Sequence, residues 1–287
     1  MRIWLKYLMR GLLFVILLII IAISIIFYKI KKDPFINSWV FKENKIGPVI
    51  GDLGGVPVLI PVPFANFVEY EGDPHFLKPR TEPPPKRTYQ SKLKSFGFRF
   101  RYPDMAGLTE KTEQEKKKST IYNTMWMRAG VNVDVKPFYD DDFSLNRIAN
   151  GDLTFKWDSV HSKNDPPIIW KNKHGYQQSP NTLYGLIVFE VYGYDDAKRN
   201  QIPGHDSDDK NIYYHINTQG QIDSYIKCNN IRHAAAQCSH EFLIKGFKNT
   251  MVGVDYRVGF LPHWKEIQTK VSELILSFAV KNKSTQP

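Results

Sequence analysis

The sequence contains little cysteine and none of the short motifs that mark common enzyme classes. It lacks the Gly-x-Ser-x-Gly turn of many hydrolases and the His-Glu-x-x-His spacing of zinc proteases, since Ile244 stands four residues after His240. The glycine cluster at 51–55 has neither the GxGxxG spacing nor the GK[ST] ending of a phosphate-binding loop. We therefore predict that the protein is not an enzyme and that it holds no cofactor and no metal ion.

One segment of the chain has the length and composition of a membrane-spanning helix. Residues 11–27 carry no charge, and with Tyr28 they correspond to a helix about 27 Å long at about 1.5 Å per residue. A cleaved signal peptide is the rival interpretation, but its apolar region is usually shorter, and Ile-Ile-Phe-Tyr follows Ala22-Ile23-Ser24 where a polar cleavage region belongs. No cysteine lies near Ser24 to carry a lipid. We predict an uncleaved, single-pass anchor through residues 11–28, within a tail and anchor segment of residues 1–32.

The orientation of this anchor does not follow from the flanking charges. Three basic residues precede the apolar run and three follow it, so the positive-inside rule finds no excess on either side. The basic residues are Arg2, Lys6 and Arg10 before the run and Lys29, Lys31 and Lys32 after it. The short leading tail favours a cytoplasmic N-terminus, and the two cysteines discussed below suit an oxidising compartment. We therefore predict an inner-membrane protein whose C-terminal domain lies in the periplasm.

The charge of the remaining chain argues against binding to nucleic acid. The formal net charge is +10, but six of the 39 Lys and Arg residues flank the anchor, which leaves 33 against 29 Asp and Glu, or +4. This balance is too even for a nucleic-acid-binding domain. Local charge is more strongly patterned, because Asp140, Asp141 and Asp142 stand together in a predicted loop. This loop is either a solvated turn or a contact surface for a basic protein partner, because opposite charges speed association.

The residues after a polar spacer at 33–45 show the period-two alternation of β-strands. In residues 46–287, Phe96, Phe98 and Phe100 alternate with polar residues or glycine, as a strand with one buried face does. Further strands are predicted at Val49-Ile50 and 56–62 on either side of the glycine turn, at Val131, Val133 and Val135, at Leu153, Phe155 and Trp157, and at 182–192, the last as a central strand. Residues 211–258 read as a meander that begins with a hairpin around 218–220.

The period changes near the end of the chain. Trp264, Ile267, Val271, Leu274 and Phe278 recur at spacings of three and four, which predicts a helix over residues 262–279 that packs one face on the sheet. The predicted fold class is therefore α+β, a mainly antiparallel β-sheet with a C-terminal packing helix, preceded by the single transmembrane helix.

The two cysteines, Cys228 and Cys238, flank a short segment between two predicted strands. A disulfide there would close a loop of about eleven residues and contribute about 2.5 to 3 kcal/mol in the chain-entropy model. The alternative is zinc, bound by both cysteines together with His233 and His240. Structural zinc ligands usually come in pairs two to four residues apart, and the nine residues between these cysteines are too many for such a pair. We favour the disulfide.

Several segments of the sequence resemble one bacterial family. The segments are GDLGGVPVLIPVPFANFVEYEGDPHF at 51–76, SKLKSFGFRFRYPDMAGL at 91–108, IYNTMW at 121–126, DSYIKCNN at 223–230, CSHEF at 238–242 and YRVGFLPHWKEIQTKVSELILSF at 256–278. They resemble membrane-anchored periplasmic proteins encoded beside type VI secretion effectors. The resemblance implies an immunity protein whose partner is a cognate antibacterial effector, often of the lipase type. It implies no catalytic residues.

Three functional classes follow from the sequence. The first is a toxin-neutralising binder, for which Asp140, Asp141 and Asp142 are the candidate contact residues. The second is a structural or assembly factor of the cell envelope, which the same anchor and sheet would serve. The third is an envelope hydrolase whose site is assembled from residues far apart in the sequence. The lack of catalytic motifs favours the first two classes.

Overall fold

The structure is a computed structural model of the chain. It describes residues 47–74, 83–133, 145–146, 148–149, 175–195, 200–203, 210–230 and 235–280, together with Ser24. The chain divides into two compact units, residues 1–45 and 46–287. The predicted anchor at 11–28 and spacer at 33–45 lie outside the described residues apart from Ser24. Within the described part, no helix combines the length and the apolar character needed to cross a membrane.

The second unit is built on one large antiparallel sheet. Its strands are β3 (Asn66–Tyr70), β4 (Leu93–Arg101), β5 (Ala106–Gly107), β6 (Trp126–Val133), β7 (Gly175–Gln178), β8 (Ile187–Asp195), β9 (Asn200–Pro203), β10 (Lys210–Ile216), β11 (Ile222–Asn229), β12 (Gln237–Leu243) and β13 (Thr250–Arg257). The order across the sheet is β3-β4-β6-β13-β12-β11-β10-β8-β7, with β5 paired to β4 and β9 paired to β8. The meander predicted for residues 211–258 is confirmed as β10 to β13.

The alternating apolar residues face the core as expected. Phe96, Phe98 and Phe100 of β4 are buried, and so is Val131 of β6. The prediction of a central strand at 182–192 is confirmed in part: β8 begins at Ile187 and has strands on both sides, but it lies next to the edge strand β7 and not in the middle of the sheet. Both faces of β8 carry packed apolar side chains as predicted, since Val188 lies in one buried cluster and Phe189 packs against another. The predicted strand at 153–157, and Val135 of another, lie outside the described residues.

The C-terminal helix covers one face of this sheet. Helix α2 (Trp264–Leu276) follows a 3-10 segment at Val258–His263. Its inward residues, Trp264, Ile267, Val271 and Ile275, are buried in the same apolar cluster as the phenylalanines of β4. The helix was predicted at 262–279, so its position is confirmed and its ends are shorter. Leu274, predicted on the inward stripe, is only partly buried, and Ile275 takes the inward position.

A separate hairpin near the start of this unit is hydrogen-bonded to residues near the end of the chain. Strands β1 (Val49–Leu53) and β2 (Val56–Ile60) pair with each other around a turn at Gly54 and Gly55. The glycine-rich segment is therefore partly strand, because β1 extends to Leu53. The backbone of β2 reaches the end of the chain, where Leu59 N donates to Phe278 O at 2.8 Å and Val280 N donates to Pro57 O at 2.9 Å.

One helix was not predicted. Helix α1 (Glu110–Lys118) carries no apolar residue, so no hydrophobic periodicity marks it. The features that favour this helix are its capping residues and the order of its charges. Thr109 and Thr112 form a capping box at its start, and Lys116, Lys117 and Lys118 stand in its last turn, where the partial negative charge of the helix dipole favours cations. The sequence signal was therefore present in the caps and in the charge order.

Candidate functional site

Successive side chains along each strand point to opposite faces of the sheet, so the two faces present different surfaces. The face under α2 is dry and apolar, but it contains a small polar network. Ser224 Oγ of β11 and His240 Nε2 of β12 both donate to Gln268 Oε1 of α2, the latter at 3.1 Å. The amide nitrogen of Gln268 donates in turn to the Asp223 carbonyl at 3.3 Å. This network fixes the helix on the sheet.

The buried imidazole of this network is held neutral. Burial lowers the pKa of His240 to about 3, and the hydrogen bond to Gln268 opposes only part of that effect. The Nδ1 atom of His240 and the hydroxyl of Tyr256, whose rings lie edge to face with centroids 6.0 Å apart, have no hydrogen-bond partner within the described part of the chain. Burial also raises the pKa of Tyr256. Both groups therefore stay uncharged at neutral pH.

A histidine, a carboxylate and a serine meet near this network without forming a nucleophilic site. His215 Nδ1 and Asp223 Oδ1 are 2.6 Å apart, and His215 is the cross-strand neighbour of Ser224. The Ser224 side chain, however, is fully buried and donates its hydroxyl hydrogen to Gln268. The ring of Trp264 lies against His215 at 5.3 Å between centroids. A buried hydroxyl beneath a packed helix is not presented to a substrate, so Ser224 belongs to the core, whereas His215 and Asp223 are partly exposed.

The two cysteines form the disulfide that the sequence favoured. Cys228 and Cys238 are direct cross-strand neighbours on β11 and β12, and their sulfur atoms are bonded. A disulfide uses both thiols, so these cysteines cannot also bind zinc as thiolates. His240, one of the other two ligands in the zinc hypothesis, donates to Gln268 instead, and His233 lies outside the described residues.

The opposite face of the sheet has three neighbouring glycines that we call the glycine row. Gly97 of β4 is the cross-strand neighbour of Gly130 of β6, and Gly130 is in turn the neighbour of Gly253 of β13. All three alternate with core residues such as Phe98, Ala129 and Val254, so they lie on the face away from α2. Strands are spaced about 4.8 Å apart, so the row exposes backbone across about 10 Å.

Two ends bound the glycine row. At one end, a β-bulge between Asn66 and Glu69 disrupts the pairing of β3 with β4, and Phe67 within it has a positive φ of 51°. A bulge of this kind redirects a side chain. The Phe67 ring, 70% exposed, comes within 3.6 Å of where a Cβ on Gly97 would lie. At the other end, Gly253 neighbours Glu241.

The same face is covered farther along the sheet. Tyr225 of β11 and Ile212 of β10 are fully buried there against Leu145 and Ala149, which belong to helical residues described at 145–146 and 148–149. Asn146 Oδ1 accepts a hydrogen bond of 3.0 Å from the backbone of Ile222, which fixes these residues over the strand. The part of this face at Tyr225 and Ile212 is therefore covered by helical residues, and the glycine row lies on the same face farther along the sheet.

Charged and neutral side chains line the two long sides of the glycine row. On one side, Arg128 Nε and Nη2 donate to Asp255 Oδ2 at 2.9 and 2.6 Å, and Arg99 is the cross-strand neighbour of Arg128. The Arg128 side chain is 68% exposed. The other side carries the uncharged residues Asn132 and Met251. On the charged side, Arg128 is therefore already paired with Asp255.

The sequence analysis did not find this surface. Its candidate contact residues, Asp140, Asp141 and Asp142, lie outside the described residues, so their role stays a prediction. The glycines of the row are 33 and 123 positions apart in the sequence, and only the register between β4, β6 and β13 brings them together. A sequence signal did exist, because in each of these strands a glycine takes the outward position between two buried residues.

Comparisons with known proteins find two distant structural matches. No family model matches the sequence, and no curated protein matches it. Among solved structures, Smlt3025, an immunity protein of the Stenotrophomonas maltophilia type IV secretion system, is 16% identical with a TM-score of 0.48, covering 82% of this chain and 94% of its own. The Neisseria meningitidis iron-regulated outer membrane lipoprotein FrpD is 9% identical with a TM-score of 0.35, covering 81% and 92%.

Proposed function

We propose that this protein is an immunity protein that binds a cognate antibacterial toxin and blocks it by stoichiometric occlusion. The observation that carries the proposal is the glycine row of the antiparallel sheet, where a Cβ on Gly130 or Gly253 would meet no atom of the described residues within 4 Å. A strand glycine often marks a place where another molecule approaches the backbone closely. Occlusion of a toxin needs a complementary surface and no catalytic group.

The sequence resemblance supplies the cellular setting of the proposal. The matching segments resemble periplasmic proteins encoded beside type VI secretion effectors, and the run at 11–28 has the composition of a membrane anchor. An inhibitor tethered to the inner membrane is concentrated in the compartment where a lipid-directed toxin acts, which favours capture of the toxin. We therefore propose a type VI effector as the toxin and the periplasm as the place of neutralisation.

Co-expression tests this function directly. An effector gene found next to this gene, as the resemblance implies, is expressed with a periplasmic export signal in a host that lacks both genes. Cells should lyse or stop growing when the toxin is made alone and should survive when the full-length protein is made with it. The two proteins should also co-purify in a fixed ratio from detergent-solubilised membranes. Death despite normal levels of the full-length protein, or failure to co-purify, contradicts the proposal.

A control separates neutralisation from an envelope assembly role. Deleting the gene for this protein in a strain that also lacks the toxin gene should leave growth, cell shape and detergent resistance unchanged. An assembly factor is needed whether or not the toxin is present. Envelope defects in the double deletion therefore favour the structural class of function over the immunity proposal.

A further inference from the structure

The turn between α1 and β6 presents large apolar side chains to solvent. It consists of residues 119–125, which we call the apolar turn. Ile121 is 58% exposed, Tyr122 is 54% exposed and Met125 is 37% exposed. Single exposed apolar residues are common, but a group of them marks a surface that contacts a protein or a membrane. The apolar turn is therefore a candidate contact surface.

The polar side chains and the backbone of the apolar turn hold it in one conformation. Asn123 Oδ1 accepts hydrogen bonds from Thr120 N at 2.7 Å and from Thr120 Oγ1 at 3.1 Å. Thr124 N donates to Thr120 O at 2.9 Å. The turn is also fixed to the sheet, because Tyr102 N donates to Met125 O at 2.9 Å. A surface that is already ordered loses less conformational entropy when it binds.

Two cations stand beside the apolar turn. Arg257 Nη1 donates to the Tyr122 carbonyl, and the guanidinium carbon of Arg257 lies 5.1 Å from the centre of the Phe260 ring. Lys118, the last residue of α1, is exposed and directly precedes the turn. Neither Arg257 nor Lys118 forms an ion pair with a carboxylate of the described residues. Both positive charges are therefore available to an anionic partner.

The wider surroundings of the apolar turn are also basic. Glu113 pairs with Lys117 at 2.9 Å, and Glu115 pairs with Arg101. Arg101 also pairs with Asp104 at 2.5 Å. The charged groups of this network, together with those of the last turn of α1 and Arg257, are five cations and three carboxylates: Lys116, Lys117, Lys118, Arg101 and Arg257 against Glu113, Glu115 and Asp104.

The composition of this surface favours a lipid bilayer over a protein as its partner. Lysine is depleted in protein interfaces. Apolar residues and tyrosine beside basic residues are instead typical of segments that enter the headgroup region of an anionic bilayer. The cations complement the negative charge of such a surface, and a guanidinium group pairs well with phosphate.

The chain that precedes the domain keeps a bilayer within reach. Only residues 29–46 separate the predicted anchor from Gly47, where the described part of the domain begins. Eighteen residues span at most about 65 Å even when fully extended. A tether of this kind makes a second contact with the same bilayer intramolecular, so a weak contact is sufficient.

We propose that the apolar turn is a second membrane contact of this protein. Ile121, Tyr122 and Met125 enter the headgroup region of the bilayer, and Lys118 and Arg257 pair with the phosphates of anionic lipids. The inference rests on the predicted anchor and does not depend on which toxin is bound. The contact fixes which side of the domain faces the lipid, so the anchored domain has one orientation at the membrane.

A fluorescent label at the apolar turn tests the contact. The two native cysteines are joined in the disulfide, so Ile121→Cys introduces one free thiol that can carry a nitrobenzoxadiazole label. The labelled full-length protein is reconstituted at one copy per disc into bilayer discs of phosphatidylethanolamine and phosphatidylglycerol. The emission of the label should shift to shorter wavelength and should be quenched by lipids that carry a spin label on the headgroup.

The matched control carries the same label at the other end of the sheet. Ile216, 41% exposed, pairs with Ile222 at the start of β11, about 20 Å along that strand from Cys228. Cys228 pairs with Cys238, and Cys238 pairs with Tyr256, the residue before Arg257. The label on Ile216→Cys should show neither the shift nor the quenching. Equal responses at the two positions would mean that the label itself enters the bilayer, and they would overturn the contact.

The charged part of the contact has its own test. Lys118→Gln in the protein labelled at residue 121 should lower the ratio of docked to undocked domain by about fivefold, because one cation at an anionic lipid surface contributes about 1 kcal/mol. Discs of phosphatidylcholine alone should lower the ratio as well. Lys245→Gln is the matched control, since Lys245 is exposed in the connection between β12 and β13. Equal losses in the two variants would exclude pairing at Lys118.

The remaining outcomes identify other partners. A label at residue 121 that stays exposed in the discs and is protected only after the toxin is added assigns the apolar turn to the toxin and overturns the inference. Protection that needs two copies per disc assigns it to a second copy of the chain and also overturns it. A lower midpoint of thermal unfolding for Ile121→Cys shows that this side chain packs within the domain, with the same consequence.

The inference and the proposed function fail separately. Full-length protein that does not stay in the discs overturns the predicted anchor and the membrane contact together. Toxin binding is measured in detergent, where no bilayer is present. Neutralisation without docking of the apolar turn therefore leaves the immunity function standing, and docking without toxin binding leaves the membrane contact standing.

Discussion

His240 of β12 donates a 3.1 Å hydrogen bond to Gln268 of α2, so a buried neutral imidazole joins the C-terminal helix to the centre of the sheet. The bond requires a proton on Nε2, because Gln268 Oε1 accepts. A second proton would have to enter at Nδ1, which has no partner within the described residues. The helix is therefore attached through a group that resists protonation.

This attachment predicts an acid-dependent loss of stability. The folded pKa of His240 is about 3, whereas an exposed histidine titrates near 6.5. Between these values the unfolded chain binds a proton that the folded protein does not, so stability falls as the pH is lowered through this window. We expect His240 to contribute a slope of at most about 1.4 kcal/mol per pH unit to the free energy of unfolding. Denaturant unfolding at a series of pH values measures it.

Removing the His240 imidazole should remove its contribution to the pH dependence of stability. His240→Gln should be less stable than the wild type at pH 7 and should lose this part of the pH dependence between about 6.5 and 3. His263→Gln is the control, because the His263 side chain is half exposed and should leave the slope unchanged. A slope that persists in His240→Gln would assign the pH dependence to other groups.

The disulfide between Cys228 and Cys238 is expected to stabilise the meander. Replacing both cysteines with serine should lower the free energy of unfolding by about 2.5 to 3 kcal/mol, because the bond closes a short loop and restricts the unfolded chain. Reducing the wild type should produce a similar loss, and the same reductant should not affect the double variant. Free thiols detected by alkylation of the unreduced, unfolded wild type would contradict the assignment.

The apolar face of α2 is expected to be a main source of stability. Ile267 is fully buried under the sheet, and Ile267→Ala should cost about 2 to 5 kcal/mol because it leaves a cavity in the core. Lys265→Ala on the exposed side of the same helix should change stability by less than about 0.5 kcal/mol. Chemical denaturation of both variants provides the comparison. Equal effects would mean that the helix contributes little to the core.

The predicted anchor and orientation are testable in cells. If residues 11–28 span the inner membrane with the domain outside, protease added to spheroplasts should degrade the domain and leave a membrane-bound N-terminal fragment. A cytoplasmic marker protein should stay intact as a control for sealed membranes. Degradation of the domain only after lysis of the spheroplasts would reverse the orientation.

The sequence predicted the parts of the fold that local periodicity controls. The alternation at Phe96, Phe98 and Phe100 located β4 because a buried strand face needs one apolar residue in two, and the spacing from Trp264 to Val271 located α2 because a helix needs one in three or four. Helix α1 was missed because it packs no apolar side chain, and the place of β8 next to the edge strand was missed because the order of strands across a sheet leaves no local mark.

The candidate site depends on a different kind of information. Gly97, Gly130 and Gly253 become neighbours only through pairing between strands that are far apart in the sequence. A shift of two residues in any one strand would separate the glycines while each strand kept its buried face, so hydrophobic alternation alone does not specify the row. Hydrogen bonds and side-chain contacts between the strands decide the register, and these form only when the protein folds.

The hydrogen bonds that join β2 to the residues after α2 have a consequence for the order of folding. Leu59 and Phe278 are 219 positions apart, yet their backbone atoms are bonded. Contacts between such distant residues form slowly because a long stretch of chain must first be closed. The first hairpin can pair locally, but its bonds to Phe278 and Val280 form only after the last helix has been synthesised.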